Sequence, residues 1–77
     1  MKNSDKIIQC LKNIFENQEI DINSSAENLK EWDSVAMINI VLEIENQFKV
    51  KINANDITNL KSYKSIKKIL SNKGIKF

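Results

Sequence analysis

The sequence has no His, no Arg and no Pro, and only one Gly and one Cys in 77 residues. Each absence excludes a chemistry. Without His, a Ser-His triad cannot be assembled, and a single Cys supplies neither a disulfide nor a Cys- or His-based metal cage. One Gly, Gly74, cannot build a Gly-rich phosphate loop. Because all twelve cations are Lys, the residue type best suited to bidentate phosphate or base contacts is missing. No apolar run approaches the roughly 20 residues of a membrane-spanning helix. The first residues, Met1 to Asp5, pass into amphipathic sequence with no apolar signal core, so the expected setting is cytoplasmic, without membrane insertion.

What is present suits one small domain covering residues 1–77. At 42% hydrophobic and 29% charged the composition is that of a folded chain, although one this short buries only about 60% of its unfolded surface. The net charge of +2 hides a split: residues 1–48 carry four Lys against nine acidic residues, and residues 49–77 carry eight Lys against Asp56 alone. Lys, Ile and Asn make up 36 of the 77 residues, a bias that AT-rich coding produces without function, so the Lys-rich half reads as a solvated surface. Its alternative reading is a non-catalytic helical interaction or nucleic-acid-binding module.

Apolar periodicity predicts four helices. Ile7, Ile8, Leu11, Ile14 and Phe15 form a stripe that places helix one over about Ser4–Asn17, with Asn3 or Ser4 as cap and Cys10 as a packing residue. Between Asn17 and Asp33 the period is lost, and Ile20, Ile22, Leu29 and Trp32 read as apolar anchors of a long loop, with one capped turn at Ser24–Glu27. Asp33 is the expected N-cap of helix two, Ser34–Gln47, whose core face is Met37, Ile40, Val41, Ile44 and Phe48. Val35, Ile38 and Leu42 lie off that face and leave two readings open: a wide core face or a partner site. Lys49 to Ile52 is a linker with Val50 and Ile52 inward. A short helix follows near Asn55–Leu60, with Asn53 or Asn55 as cap and Ile57 and Leu60 facing in. Ser62 caps a last helix on which Tyr63, Ile66, Ile69 and Leu70 keep the helical spacing until Gly74. The expected fold is all-α, a small four-helix bundle with three main helices, one short one and a long first connection.

Ser34 is the one nucleophile-type side chain at the mouth of a helix that follows an N-cap Asp and a long loop, where free N–H groups and the helix dipole favour an attached anion such as a phosphate ester. Asp-Ser pairs also start helices for capping reasons alone. The surroundings add to the pair. Trp32-Asp33-Ser34-Val35, the continuation Ile44-Glu45-Asn46-Gln47-Phe48-Lys49-Val50-Lys51-Ile52 and the spacing to Asn55-Asp56-Ile57 together resemble an acyl carrier protein over nearly the whole chain.

The resemblance implies a non-enzymatic carrier on which Ser34 bears a covalent 4'-phosphopantetheine arm and Asp33 serves in capping and recognition. The implied partners are a phosphopantetheinyl transferase using coenzyme A and a divalent metal, an acyl- or aminoacyl-charging ligase, and downstream transferases. It implies a monomer that catalyses nothing and binds neither metal nor nucleic acid. Partner contacts would fall on Val35, Ile38, Asn39, Leu42 and Glu45. Ile40, Ile44, Ile52, Ile57, Leu60, Ile66 and Leu70 would line an acyl pocket, the plainer reading being that all seven are core. Val35 stands where the family's motif has Leu. Ala36, Asn39, Asn46 and Gln47 fill positions often acidic in fatty-acid carriers, leaving Glu43 and Glu45, and Trp32 matches the Trp-Asp-Ser form of specialised carriers.

Overall fold

The computed structural model describes residues 2–77 and contains four helices, α1 (Asn3–Ile14), α2 (Ser34–Phe48), α3 (Ala54–Ile57) and α4 (Tyr63–Asn72). The expected all-α bundle is present. Helix α1 buries Ile7, Cys10 and Leu11, the line that its apolar spacing marks out. Its ends differ from expectation. Lys2 takes the cap position without a side-chain bond, and Asn3 is already helical, its side-chain amide donating to the Lys76 carbonyl at 2.8 Å. The helix stops at Ile14 instead of Asn17, because Phe15 leaves helical geometry and stacks on Trp32 with ring centroids 5.3 Å apart. The polar residues Glu16 to Glu19 offer nothing apolar to hold a further turn on the core.

The long connection that follows is ordered by short-range bonds. Ser24 Oγ accepts from the Asp21 N–H at 2.9 Å, and the Ser25 carbonyl accepts from Asn28 and Leu29, which makes the turn expected there. Two backbone bonds sew this loop to the α3–α4 connection, Ala26 N–H to the Lys61 carbonyl at 2.8 Å and Tyr63 N–H to the Ser24 carbonyl at 3.0 Å. Ile20, Leu29 and Trp32 are buried anchors, as their spacing suggests. Ile22 is not. It stands exposed beside Asn23, whose N–H is held by the Asp21 carboxylate in a tight turn that aims residue 22 outward.

Helix α2 contributes Ala36, Ile40, Ile44 and Phe48 to the core, with Met37 and Val41 half-buried beside them. Ala36 therefore corrects the sequence reading. It is 5% exposed, so the position faces the interior and is no site for a surface charge. Beyond Phe48, Lys49 adopts the left-handed conformation at φ 56° and ψ 42°, its N–H bonded to the Glu45 carbonyl. A residue with a Cβ pays about 1 kcal/mol for that geometry. Lys49→Gly is expected to stabilise the protein by about 0.5 kcal/mol after allowance for the greater freedom of Gly when unfolded, raising the melting temperature by about 2–4 °C. A lower melting temperature would show that the Lys49 side chain makes a contribution larger than its backbone strain.

Helix α3 is shorter than expected. Asn53 caps it by accepting from Asp56 N–H at 2.8 Å, and the side chains of Thr58 and Asn59 both bond back to the Asn55 carbonyl, which stops the helix. Leu60 then buries fully from non-helical backbone. Ser62 and Ser65 close a reciprocal capping box at the start of α4, and the helix ends with Ile75 N–H on the Leu70 carbonyl and Gly74 at φ 93°. That left-handed position is where the chain places its one Gly.

Candidate functional site

Ser34 opens α2 as its first residue and is exposed. The Asp33 carboxylate accepts from Ala36 N–H at 2.9 Å, and the Asp33 carbonyl accepts from Met37 N–H at 3.0 Å. Among the described residues, the amides of Ser34 and Val35 have no protein partner, and the Ser34 hydroxyl makes no protein hydrogen bond. Two free donors at the positive end of a fifteen-residue helix fit a phosphodiester on the adjacent oxygen.

The outer side of α2 decides between the two readings of its second apolar strip. Val35, Ile38 and Leu42 are 67, 58 and 61% exposed. At about 100° per residue they point away from Ile40 and Ile44, on the far side of the helix. They are not a wide core face. Asn39 is exposed on the same side, whereas Glu45 is half-buried and accepts from the Ile52 N–H at 2.9 Å. Glu43, the other carboxylate of α2, is half-buried and accepts from the Asn13 side chain at 3.4 Å. Both carboxylates of the helix are thus engaged within the chain.

Of the seven residues considered for an acyl pocket, Ile40, Ile44, Leu60, Ile66 and Leu70 have no solvent exposure. Ile52 and Ile57 are half-buried, and Ile52 packs against the core from the linker before α3. Cys10 sits in the same core, where burial first and the Glu43 charge second push its thiol up to about 11, so it stays protonated and unreactive near neutrality.

Trp32, a loop anchor by its spacing and part of the Trp-Asp-Ser form by resemblance, also ties the segment before Ser34 to the α3–α4 connection. It is 4% exposed, and its indole N–H donates to the Leu60 carbonyl at 2.9 Å. An aromatic residue two places before an exposed helix-start Ser was the available signal.

The Lys-rich half offers little internal compensation. Among the described residues the one ion pair is Lys73 with Asp56 at 3.0 Å, and it satisfies the otherwise unbonded buried Asp56 oxygen. Lys61, Lys64, Lys67 and Lys68 are exposed along and just before α4. No pair joins the acidic first half to the basic second half among those residues. Repulsion within the basic half should therefore dominate. With a Debye length of about 8 Å at physiological ionic strength, moderate sodium chloride is expected to raise the melting temperature slightly. A steady fall over the same range would show that the two halves attract each other through charge.

These features define a class: a small helical domain with an exposed hydroxyl set beside free helix-start amides. Comparison with protein-family models makes the assignment specific. Residues 5–70 match the family described as the phosphopantetheine attachment site, and the chain belongs to that family. Its members carry covalently attached 4'-phosphopantetheine and work with phosphopantetheinyl transferase and biosynthetic enzymes. No curated protein and no solved structure gives a match. The alternative of a nucleic-acid-binding module gains no support from the family match. Among the described residues no helix is long and apolar enough to cross a membrane.

Proposed function

We propose that the chain is a single, monomeric, cytoplasmic carrier domain modified at Ser34, and that it serves a dedicated pathway and not primary fatty-acid synthesis. The observation that carries this reading is the exposed Ser34 at the start of α2, capped by Asp33, inside the family match. In the modification, Ser34 Oγ forms a bond to the pantetheine-bearing phosphorus of coenzyme A. The pyrophosphate P–O bond breaks, adenosine 3',5'-bisphosphate leaves, and the hydroxyl proton passes to the transferase, which supplies the base this chain lacks. Once attached, the arm supplies a terminal thiol on which acyl or aminoacyl groups are held as thioesters.

The chain's own residues then provide position and recognition. Asp33 fixes the first turn of α2, and the exposed strip of Val35, Ile38 and Leu42 with Asn39 forms the docking face for a charging ligase and later transferases. Tethering at one point keeps the cargo at high effective concentration for each enzyme in turn. Because Glu43 and Glu45 are engaged within the chain, contact at this face is apolar before it is charged, which sets this carrier apart from polyanionic ones. A long acyl cargo would shelter among Ile40, Ile44, Ile52, Ile57, Leu60, Ile66 and Leu70 only by parting side chains that now touch, with the half-buried Ile52 and Ile57 yielding first.

Co-production with a broad-specificity phosphopantetheinyl transferase, followed by intact mass measurement, tests the proposal. Addition of one phosphopantetheinyl group is the expected result. An unmodified chain that instead binds DNA with a steep salt dependence would favour the Lys-rich half as the working surface.

A further inference from the structure

Among the described residues the Ser34 hydroxyl has no hydrogen-bond partner, so its place is set by the backbone on either side. Downstream, α2 is held by Ala36 and Ile40 in the core. Upstream, Lys30, Glu31 and Asp33 are exposed, as are Ser34 and Val35, and Trp32 is the single buried side chain between Leu29 and Ala36. The backbone bonds of this stretch are local: Trp32 N–H to the Leu29 carbonyl, Asp33 N–H to the Glu31 carbonyl, and the cap bonds to α2. They shape the segment without fixing it to the rest of the fold.

The Trp32 ring supplies that fixing from two directions. It stacks on Phe15 at the end of α1, and its N–H reaches the carbonyl of Leu60 in the α3–α4 connection. The connection is in turn sewn to residues 24–26. From this we infer that Trp32 is a positioning residue for the modification of Ser34: its indole holds residues 30–33 so that Asp33 and the Ser34 hydroxyl meet the transferase in one geometry. The inference rests on Ser34 being the modified residue. It does not assign Trp32 any contact with the transferase, which its burial excludes.

The chain contains one Trp, so biosynthetic replacement of Trp by β-(3-benzothienyl)alanine alters residue 32 alone. The substitute keeps the bicyclic shape and the stack on Phe15 but has sulfur where the N–H was. With the full chain as substrate of a phosphopantetheinyl transferase, kcat is expected to fall about tenfold while KM moves by less than about twofold, since the outer strip of α2 is unchanged. Amide exchange at Trp32, Asp33 and Ala36, whose N–H groups are bonded within the segment and its cap, should quicken while that of α1 and α4 stays put, a change confined to the presented segment. Trp32→Phe, which also lacks the N–H but stacks less, should shift the same two readouts further. The inference is overturned if the analogue-containing protein keeps both kcat and the exchange of the Trp32, Asp33 and Ala36 amides, or if exchange quickens equally in every helix, which would make Trp32 an ordinary core residue. Failure of the unaltered chain to be modified at Ser34 would overturn the proposed function and with it the purpose given to Trp32, while the exchange comparison would still decide whether Trp32 holds residues 30–33 in place.

Discussion

Ser34→Ala is expected to abolish the addition of phosphopantetheine while leaving the fold intact, the largest functional effect of any substitution in the chain. The residue is exposed and its side chain has no hydrogen-bond partner among the described residues, so removing its oxygen creates no cavity and orphans no donor there. Substitutions of that kind usually change stability by no more than about 0.5 kcal/mol. The cap is untouched, because Asp33 supplies it. Incubation with coenzyme A and a transferase should give one added group on the unaltered chain and none on the variant, with superimposable circular dichroism. Modification that persists in the variant would move the attachment point to another hydroxyl.

The two apolar sides of α2 should separate stability from function. Ile44 has no solvent exposure, and truncation of such a residue to Ala costs about 2–5 kcal/mol through lost transfer energy and the cavity left behind. Against the 5–15 kcal/mol typical of a domain, that is a large fraction of the whole, and Ile44→Ala should lower the denaturation midpoint steeply or unfold the protein at growth temperature. Ile38→Ser and Leu42→Ser sit on the opposite side, 58 and 61% exposed, and should melt within a few degrees of the parent. They should nonetheless slow charging by the cognate ligase, because they remove apolar contact from the docking face. If Ile38→Ser or Leu42→Ser unfolds the chain, the strip belongs to the core and the proposed docking face is wrong.

How far the sequence could be read follows from which interactions are local. Helices α1, α2 and α4 are written in apolar spacing, and the caps act within three residues of themselves, so Asp33 and Ser62 were recoverable and the third cap was narrowed to Asn53 or Asn55, of which Asn53 serves. Periodicity also separated Ile38 and Leu42 from Ile40 and Ile44, but spacing alone could not say whether another element covered the second strip. What lay beyond reach depended on distant partners. Helix α1 ends early because Phe15 meets Trp32, seventeen residues away, and α3 ends early because Thr58 and Asn59 turn their side chains back on Asn55. Glu45 looked like a surface carboxylate from its helical register, yet it accepts from the amide of Ile52. Ser34 was legible for a different reason, since a helix-start Ser after a capping Asp was expected from composition and cap rules, and the resemblance carried by Trp32 to Ile52 gave it a chemical role.

The bond from the Asn3 side chain to the Lys76 carbonyl places residues 3 and 76 side by side. Topologically the domain is almost a closed ring. A short covalent bridge between those two positions would tie off a loop of seventy-odd residues with little rearrangement of the native chain, and the main effect would fall on the unfolded ensemble, whose ends could no longer separate. The same adjacency means that any polypeptide joined before residue 3 and any joined after residue 76 leave the domain from one corner, as two arms of a single hinge and not as opposite ends of a rod.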